Sequence, residues 1–226
     1  MRISVVIPTL NEAATIAGML RRLADQGVDE VIVVDAASWD GTAERARSEG
    51  VLVIDSPRGR GVQQNRGAAA ASGDVLVFLH ADCRLDDGAI AALRRFLGRH
   101  PRVAAGCFRM RVEAGHPLYR CIELAAHLRA GLGGVPYGDQ GLFVCRRLFD
   151  QTGGFPEIPL MEDVGLAMRL RRHGRLAVVP ARIFVSPRRW VQHGILGQTF
   201  RNCTLTAASA VGVPASTLAR FYPHVR

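Results

Sequence analysis

Val75-Leu76-Val77-Phe78-Leu79-His80-Ala81-Asp82-Cys83-Arg84 is an apolar run that ends in a carboxylate. With Gly73-Asp74 before it, the run reads as a strand buried on both faces, as at the centre of a parallel sheet. Ligands of open α/β sheets sit beyond the carboxyl ends of the strands, so Asp82 is read as an active-site acid. A simpler alternative makes Asp82 the cap of a helix that starts near Asp86-Asp87. Similar polar residues at other strand ends favour the first reading.

Upstream, Ile3 to Ile7 reads as a strand closed by Pro8, and Asn11 caps a helix whose Ile16, Met19, Leu20 and Leu23 share a face. Glu30-Val31-Ile32-Val33-Val34-Asp35 repeats the pattern of apolar strand into acid, and Asp40-Gly41-Thr42 opens a helix running to Gly50. Val51 to Ile54 is a third strand, followed by the loop Pro57-Arg58-Gly59-Arg60-Gly61 and an alanine-rich helix from Gln63 to Ala71. This alternation predicts an α/β fold: a Rossmann-like, doubly wound, mostly parallel sheet with helices on both faces.

Beyond Pro101 the alternation breaks down. Val103 to Val112, with Arg109 and Arg111 interleaved, predicts an exposed or edge strand, and Pro117 to Leu132 a helix aligning Leu118, Ile122, Ala125 and Leu128. A glycine-rich stretch holds Tyr137-Gly138-Asp139-Gln140-Gly141, and Leu142 to Cys145 is a short strand. Met161-Glu162-Asp163 then leads a basic helix from Val164 to His173. After a strand around Ile183-Phe184-Val185, Trp190 to Ala210 reads as one long helix, and Pro214 starts a short final one. With no linker or repeat visible, residues 1–226 read as one domain.

The 226 residues, 48% hydrophobic, suffice for such a domain. A net charge of +9 favours anionic partners without choosing among phosphates, nucleic acid and acidic lipid heads. The five scattered cysteines show no C-x-x-C pair, which predicts reduced thiols, a cytoplasmic setting and no structural zinc. Met1-Arg2 leads straight into the first strand without a signal-peptide layout, and no apolar run approaches the roughly 20 residues that span a bilayer. A soluble protein, at most peripheral to a membrane through its carboxyl-terminal helices, is the expectation.

Two strand-tip acids and a Gly/Arg loop suit a ligand that carries a nucleotide diphosphate. Asp35 can accept hydrogen bonds from a base or ribose, and Asp82 can bind a hard cation such as Mg²⁺ or Mn²⁺ that bridges diphosphate oxygens. The Arg58-Gly59-Arg60-Gly61 loop offers backbone N–H groups and guanidinium forks to phosphate. It is neither a Walker-type phosphate loop nor a dinucleotide turn, which argues against an NTPase or a dehydrogenase.

In order along the chain, Ile7-Pro8-Thr9-Leu10-Asn11-Glu12, Val34-Asp35-Ala36-Ala37-Ser38-Trp39-Asp40-Gly41-Thr42, His80-Ala81-Asp82 and Glu162-Asp163 resemble the motifs of family 2 glycosyltransferases with the GT-A fold. The Tyr137–Gly141 loop, Gly153-Gly154-Phe155-Pro156 and Met161-Glu162-Asp163 resemble the small soluble branch found beside radical-SAM or selenium-related genes. The resemblance implies that Pro8, Glu12 and Asp35 line the base and ribose, with Thr9, Ser38, Arg58, Gln64 and Ala81 in the same nucleotide site. It makes Asp82 the last acid of the D-x-D metal motif, for Mn²⁺ or Mg²⁺, and Asp163, beside Glu162, the catalytic base. It further implies an inverting transfer from a nucleotide sugar, a UDP-sugar in the first instance, with residues 1–100 as the nucleotide-binding half and 101–226 as the acceptor-binding and catalytic half with the carboxyl-terminal helices.

His80 stands where the first acid of that motif is usual, so another cation ligand is expected, and the late His193 is the candidate. Asp139 and Gln140 are candidates for holding the acceptor, a small or lipid-linked molecule, although turn chemistry explains Asp139 equally well. Asp163 as a mere helix-start acid is the bland alternative to the base. Trp190 with Leu196 and Phe200 is read as core or a homodimer surface rather than a sugar platform. The competing functions are a nucleotidyltransferase, which lacks its glycine- and lysine-bearing loop here, and a non-catalytic basic module for nucleic acid or membrane surfaces. No nucleic-acid partner is expected, since 6% aromatic content and the absence of a zinc-finger, RRM or helix-turn-helix signature weaken the second.

Overall fold

A computed structural model of the chain describes residues 1–222. Its strands are β1 (Ile3–Thr9), β2 (Glu30–Asp35), β3 (Leu52–Asp55), β4 (Val75–Phe78), β5 (Cys83–Leu85), β6 (Ala105–Val112), β7 (Leu142–Cys145) and β8 (Ala177–Val185). The helices are α1 (Ile16–Asp25), α2 (Thr42–Ser48), α3 (Arg60–Ala70), α4 (Ala89–Arg99), α5 (Leu118–Gly131), α6 (Arg146–Thr152), α7 (Glu162–Arg171), α8 (Arg188–His193), α9 (Ile195–Ala210) and α10 (Ala215–Arg220). All eight strands form one sheet in the order β3-β2-β1-β4-β7-β6-β8-β5. β1 pairs in parallel with β2 and β4, as β2 does with β3 and β6 with β8. β7 runs antiparallel to β4 and β6, and β5 antiparallel to β8.

Side chains alternate across the pleat, so consecutive apolar residues of one strand feed two cores. Val5, Ile7, Val75 and Val77 pack with Ile16, Leu20, Leu23, Ile90 and Leu93 of α1 and α4. Val6, Ile32, Val34, Leu76 and Phe78 pack on the other face with Ala68, Phe149, Leu166 and Leu170 of α3, α6 and α7. Helices on both faces explain why the central strands read as continuous apolar runs.

The first strand does not close at Pro8 but runs on to Thr9. Val6 C=O accepts from Leu79 N–H on the β4 side and Thr9 C=O from Ala36 N–H on the β2 side. Pro8, in phase with Val6, turns its missing N–H toward the gap where β4 has ended, so no ladder bond is lost. Nor is β6 an edge strand, since it lies between β7 and β8. Arg109 is exposed and Arg111 is half-buried against Glu123, so the interleaved arginines mark the strand's polar side, which alternation cannot distinguish from an open edge. Of the aligned residues of α5, Leu118, Ala125 and Leu128 are exposed and Ile122 is partly buried, while Tyr119, Glu123, Ala126 and Ala130 are the buried ones. Glu123 is held there by Val112 N–H at 2.8 Å and by Arg111 and Arg120. The expected long helix from Trp190 is two, divided at Gly194, whose φ of 77° and ψ of 145° are open to glycine but not to helix.

After Phe78 the chain turns at His80-Ala81-Asp82 and returns as β5, at the opposite end of the sheet order from β1–β4. The sheet therefore curls, and Asp82 sits where its two ends approach. Cys83 pairs with Val185, so the residues that follow β8, Ser186 to Arg189, emerge beside Asp82.

Candidate active site

At the carboxyl ends of β1 and β4 a cleft opens with two lobes. One is lined by Pro8, Thr9, Arg58, Gln63 and Ala81 among others. The second is lined by Asp82, Asp139, Asp163, Arg188, Gln198 and Asn202 among others. Arg60, His80, Leu160, Arg189 and Tyr222 line both, which makes the lobes one continuous cleft.

Four of the expected nucleotide-site residues, Pro8, Thr9, Arg58 and Ala81, line the first lobe. Asp35 and Ser38 stand behind it and frame it. Asp35 accepts hydrogen bonds from Thr9 Oγ1 at 2.9 Å, Ser38 N–H at 2.8 Å and Ser38 Oγ at 2.6 Å, and Ser38 Oγ accepts from Asn11 N–H. Glu12 is buried, accepts from Thr15 Oγ1 and organises the start of α1. Gln64 is buried away from the lobe, whereas Gln63 faces it and donates through Nε2 to the carbonyls of Thr9 and Val34. The helix was expected to begin at Gln63. It begins three residues earlier at Arg60, which sets Arg60 and Gln63 on one face.

In the second lobe, Asp163 lies in the first turn of α7, after Met161 with a φ of +65°. A left-handed methionine costs on the order of 1–3 kcal/mol, and it turns the chain so that α7 starts at the cleft. Asp163 Oδ2 accepts from Gly138 N–H at 2.5 Å and Oδ1 from Val164 N–H at 2.7 Å. A Cβ on Gly138 would stand 2.8 Å from His80 Nε2 and 3.2 Å from Asp163 Oδ2, so this close approach requires glycine. Glu162 is buried and ion-paired to Arg60 at 3.1 Å. Burial pushes its carboxyl up while Arg60 pulls the other way. The pair joins α3 to α7 and leaves Asp163 as the carboxylate that faces the cleft.

Asp139 lines the second lobe, and burial raises its carboxyl to about 6. Gln140 turns away from the cleft and is fully buried, with Oε1 accepting from Arg129 Nη2 at 3.1 Å and Tyr137 N–H at 3.2 Å. Its role is to hold the loop. Burial, then Arg60, lowers His80 to about 4, so it is neutral at pH 7, with Nε2 buried and unbonded.

Asp82 is partly buried and faces Arg188 Nη2 at 3.5 Å. His193 stands exposed at the end of α8, outside both lobes, because the same helix turns Arg188 and Arg189 to the cleft instead. Among the described residues no three His, Cys, Asp or Glu side chains converge as a metal cage. A Mg²⁺ or Mn²⁺ that takes one carboxylate and completes its shell with substrate phosphates and water needs no such cage, and Asp82 between His80 and the arginines fits it.

Several lining residues escaped the sequence reading, among them Gln198, Asn202, Thr206 and Tyr222. Gln198, Asn202 and Thr206 recur every four residues and form a polar stripe on α9, a pattern that was present in the sequence.

A profile described as Glycosyl transferase family 2 matches residues 4–147. The glucosyl-3-phosphoglycerate synthase of Mycobacterium tuberculosis is 40% identical over an alignment of 92 residues that covers 35% of this chain and 28% of that protein. The match thus spans less than a third of that relative's length. The crystal structure of the same enzyme in complex with Mn²⁺, UDP and glucosyl-3-phosphoglycerate is similar at a TM-score of 0.61 and 25% identity, covering 94% of this chain and 81% of that one. A mannosyltransferase from Pyrobaculum calidifontis in complex with GDP-Man and Mn²⁺ shares the fold at a TM-score of 0.65 and 23% identity, over 81% of this chain and 56% of that one. With the profile covering more than half of the chain, from β1 into α6, and the cleft at the strand ends of a curled α/β sheet, the chain belongs to the family 2 glycosyltransferases and has their GT-A fold.

Proposed function

We propose that this chain transfers a sugar from a nucleotide-sugar donor, a UDP-sugar in the first instance, to a hydroxyl of a small acceptor, with inversion at the anomeric carbon. The observation that carries the reading is the joined cleft, in which the arginine-bearing lobe at β1 and β4 meets the lobe that holds Asp163. UDP and Mn²⁺ in the similar mycobacterial synthase support the donor and the metal.

In this reading the base and ribose lie against Pro8, Thr9 and Ala81, and Arg58, Arg60 and Arg189 face the diphosphate with charge-assisted hydrogen bonds. Asp82 holds the divalent cation. When bound, that cation supplies positive charge against the leaving diphosphate. Asp163, fixed by the Gly138 and Val164 N–H groups, takes the proton of the acceptor hydroxyl as its oxygen bonds to the anomeric carbon, and the nucleoside diphosphate leaves with the electron pair of the broken bond. The amide and hydroxyl groups of Gln198, Asn202 and Thr206 form the wall against which a hydroxylated acceptor would lie.

Calorimetric titration with UDP and with GDP, each with Mn²⁺ and with a chelator, tests this reading. Metal-dependent binding of one nucleotide, lost in Asp82→Ala, is expected. If neither nucleotide binds under either condition, the reading fails and a non-catalytic basic module takes its place.

A further inference from the structure

Helices α5 and α9 are in direct contact, braced by Tyr119 of α5 against Trp190 of α8 and by Tyr137, in the loop after α5, whose Oη is bonded to Thr206 Oγ1 of α9. Their outward faces are apolar. On α5, Leu118, Cys121, Leu124, Ala125, Leu128 and Leu132 are exposed at helical spacing. On α9 the exposed line is Leu196, Phe200, Cys203 and Ala207, continued by Val211, with Phe200 at 75% and Leu196 at 71% exposure. α9 is thus inverted for a surface helix, since its polar Gln198 and Asn202 face the cleft and its apolar side faces out. We infer that this two-helix face is covered by the same face of a second copy of the chain, as an isologous dimer.

Two observations select that occupant. At on the order of 150–200 Å² for a fully exposed large side chain, the exposed leucines, Phe200, Val191 and Val211 present roughly 800 Å², the contribution of one partner to a standard interface and more than lone monomers usually leave open. The second is charge. Copies at +9 repel each other except where the contact carries none, and the arginines of α5 are turned inward. Arg120 is bound to Glu123 and the Ala114 carbonyl, and Arg129 to the Val135 carbonyl, Gln140 and the Tyr137 ring. An anionic bilayer would instead be met by basic side chains at the rim of the apolar face.

Sedimentation velocity of the full chain, beside Leu128→Glu and Phe200→Glu, is the test. The wild type is expected at twice the mass of one chain, and each variant, with an unchanged circular dichroism spectrum, at the mass of one. Alkylation reads the same contact independently, with Cys121 and Cys203 protected in the wild type and reactive in the variants. A wild type that sediments as a single chain with both thiols reactive overturns the inference, as do variants that remain dimeric. A single-chain wild type that floats with phosphatidylcholine–phosphatidylserine vesicles also overturns it and assigns the face to lipid.

Discussion

At the residue scale, two neighbouring aspartates in one lobe have different surroundings. Asp163 has both oxygens engaged by backbone N–H groups and stays oriented, so Asp163→Asn is expected to lower transfer by about 10²–10⁴ with donor affinity little changed. Steady-state rates beside calorimetric donor binding check this. The same loss at Asp139→Asn, with Asp163→Asn near wild type, would move the base to Asp139. Asp139 also couples stability to pH. Its carboxyl is at about 6 when folded against an ordinary aspartate value of 3.8, because burial disfavours the charge. The folded state therefore binds the proton more tightly. The stabilisation is complete below pH 4 and fades as pH rises toward about 6, by on the order of 1–3 kcal/mol. Asp139→Asn should remove that slope, read as urea midpoints at pH 4 and pH 7.

At the element scale, short connections decide where the elements end. The Arg146 guanidinium, at the start of α6, donates to the carbonyls of Ala68 at 3.1 Å, Ala71 at 2.7 Å and Gly73 at 2.9 Å. It thereby closes the carboxyl end of α3 and pins it to β7. Arg146→Met keeps the side chain's bulk and leaves those carbonyls unmet, and is expected to cost about 2–4 kcal/mol in urea denaturation. β2 was legible as a continuous apolar run closed by Asp35, and α1 because its apolar residues repeat at a period of 3.6. α6 and β5 were not, because seven and three residues are too few to show a period. The α5 stripe was legible as a stripe, but periodicity carries no sign for inward or outward.

At the scale of the whole molecule, the cleft draws on β1, the turn after β4, α3, α7, α8 and α9, so a ligand there binds residues from both ends of the chain. A nucleoside diphosphate with Mn²⁺ at a hundredfold excess over its Kd should add about 2.7 kcal/mol and raise the melting temperature by roughly 5–10 °C. Chelation should reverse the rise in differential scanning calorimetry. Among the described residues no helix is long and apolar enough to cross a membrane.

By itself the sequence determined the alternating α/β half, with Asp35 at a strand tip and Asp82 in the turn beyond the central strand, because apolar runs bounded by Gly, Pro and Asp are local signals. Family resemblance added Asp163. Only the tertiary structure decided that the sheet curls to bring Arg188 beside Asp82, that Gln63 rather than Gln64 faces the cleft, that Gln140 supports its loop, and that His193 stays outside. Each of these depends on contacts between residues tens of positions apart or on the phase of one helix turn, and neither is written in any short window of the chain.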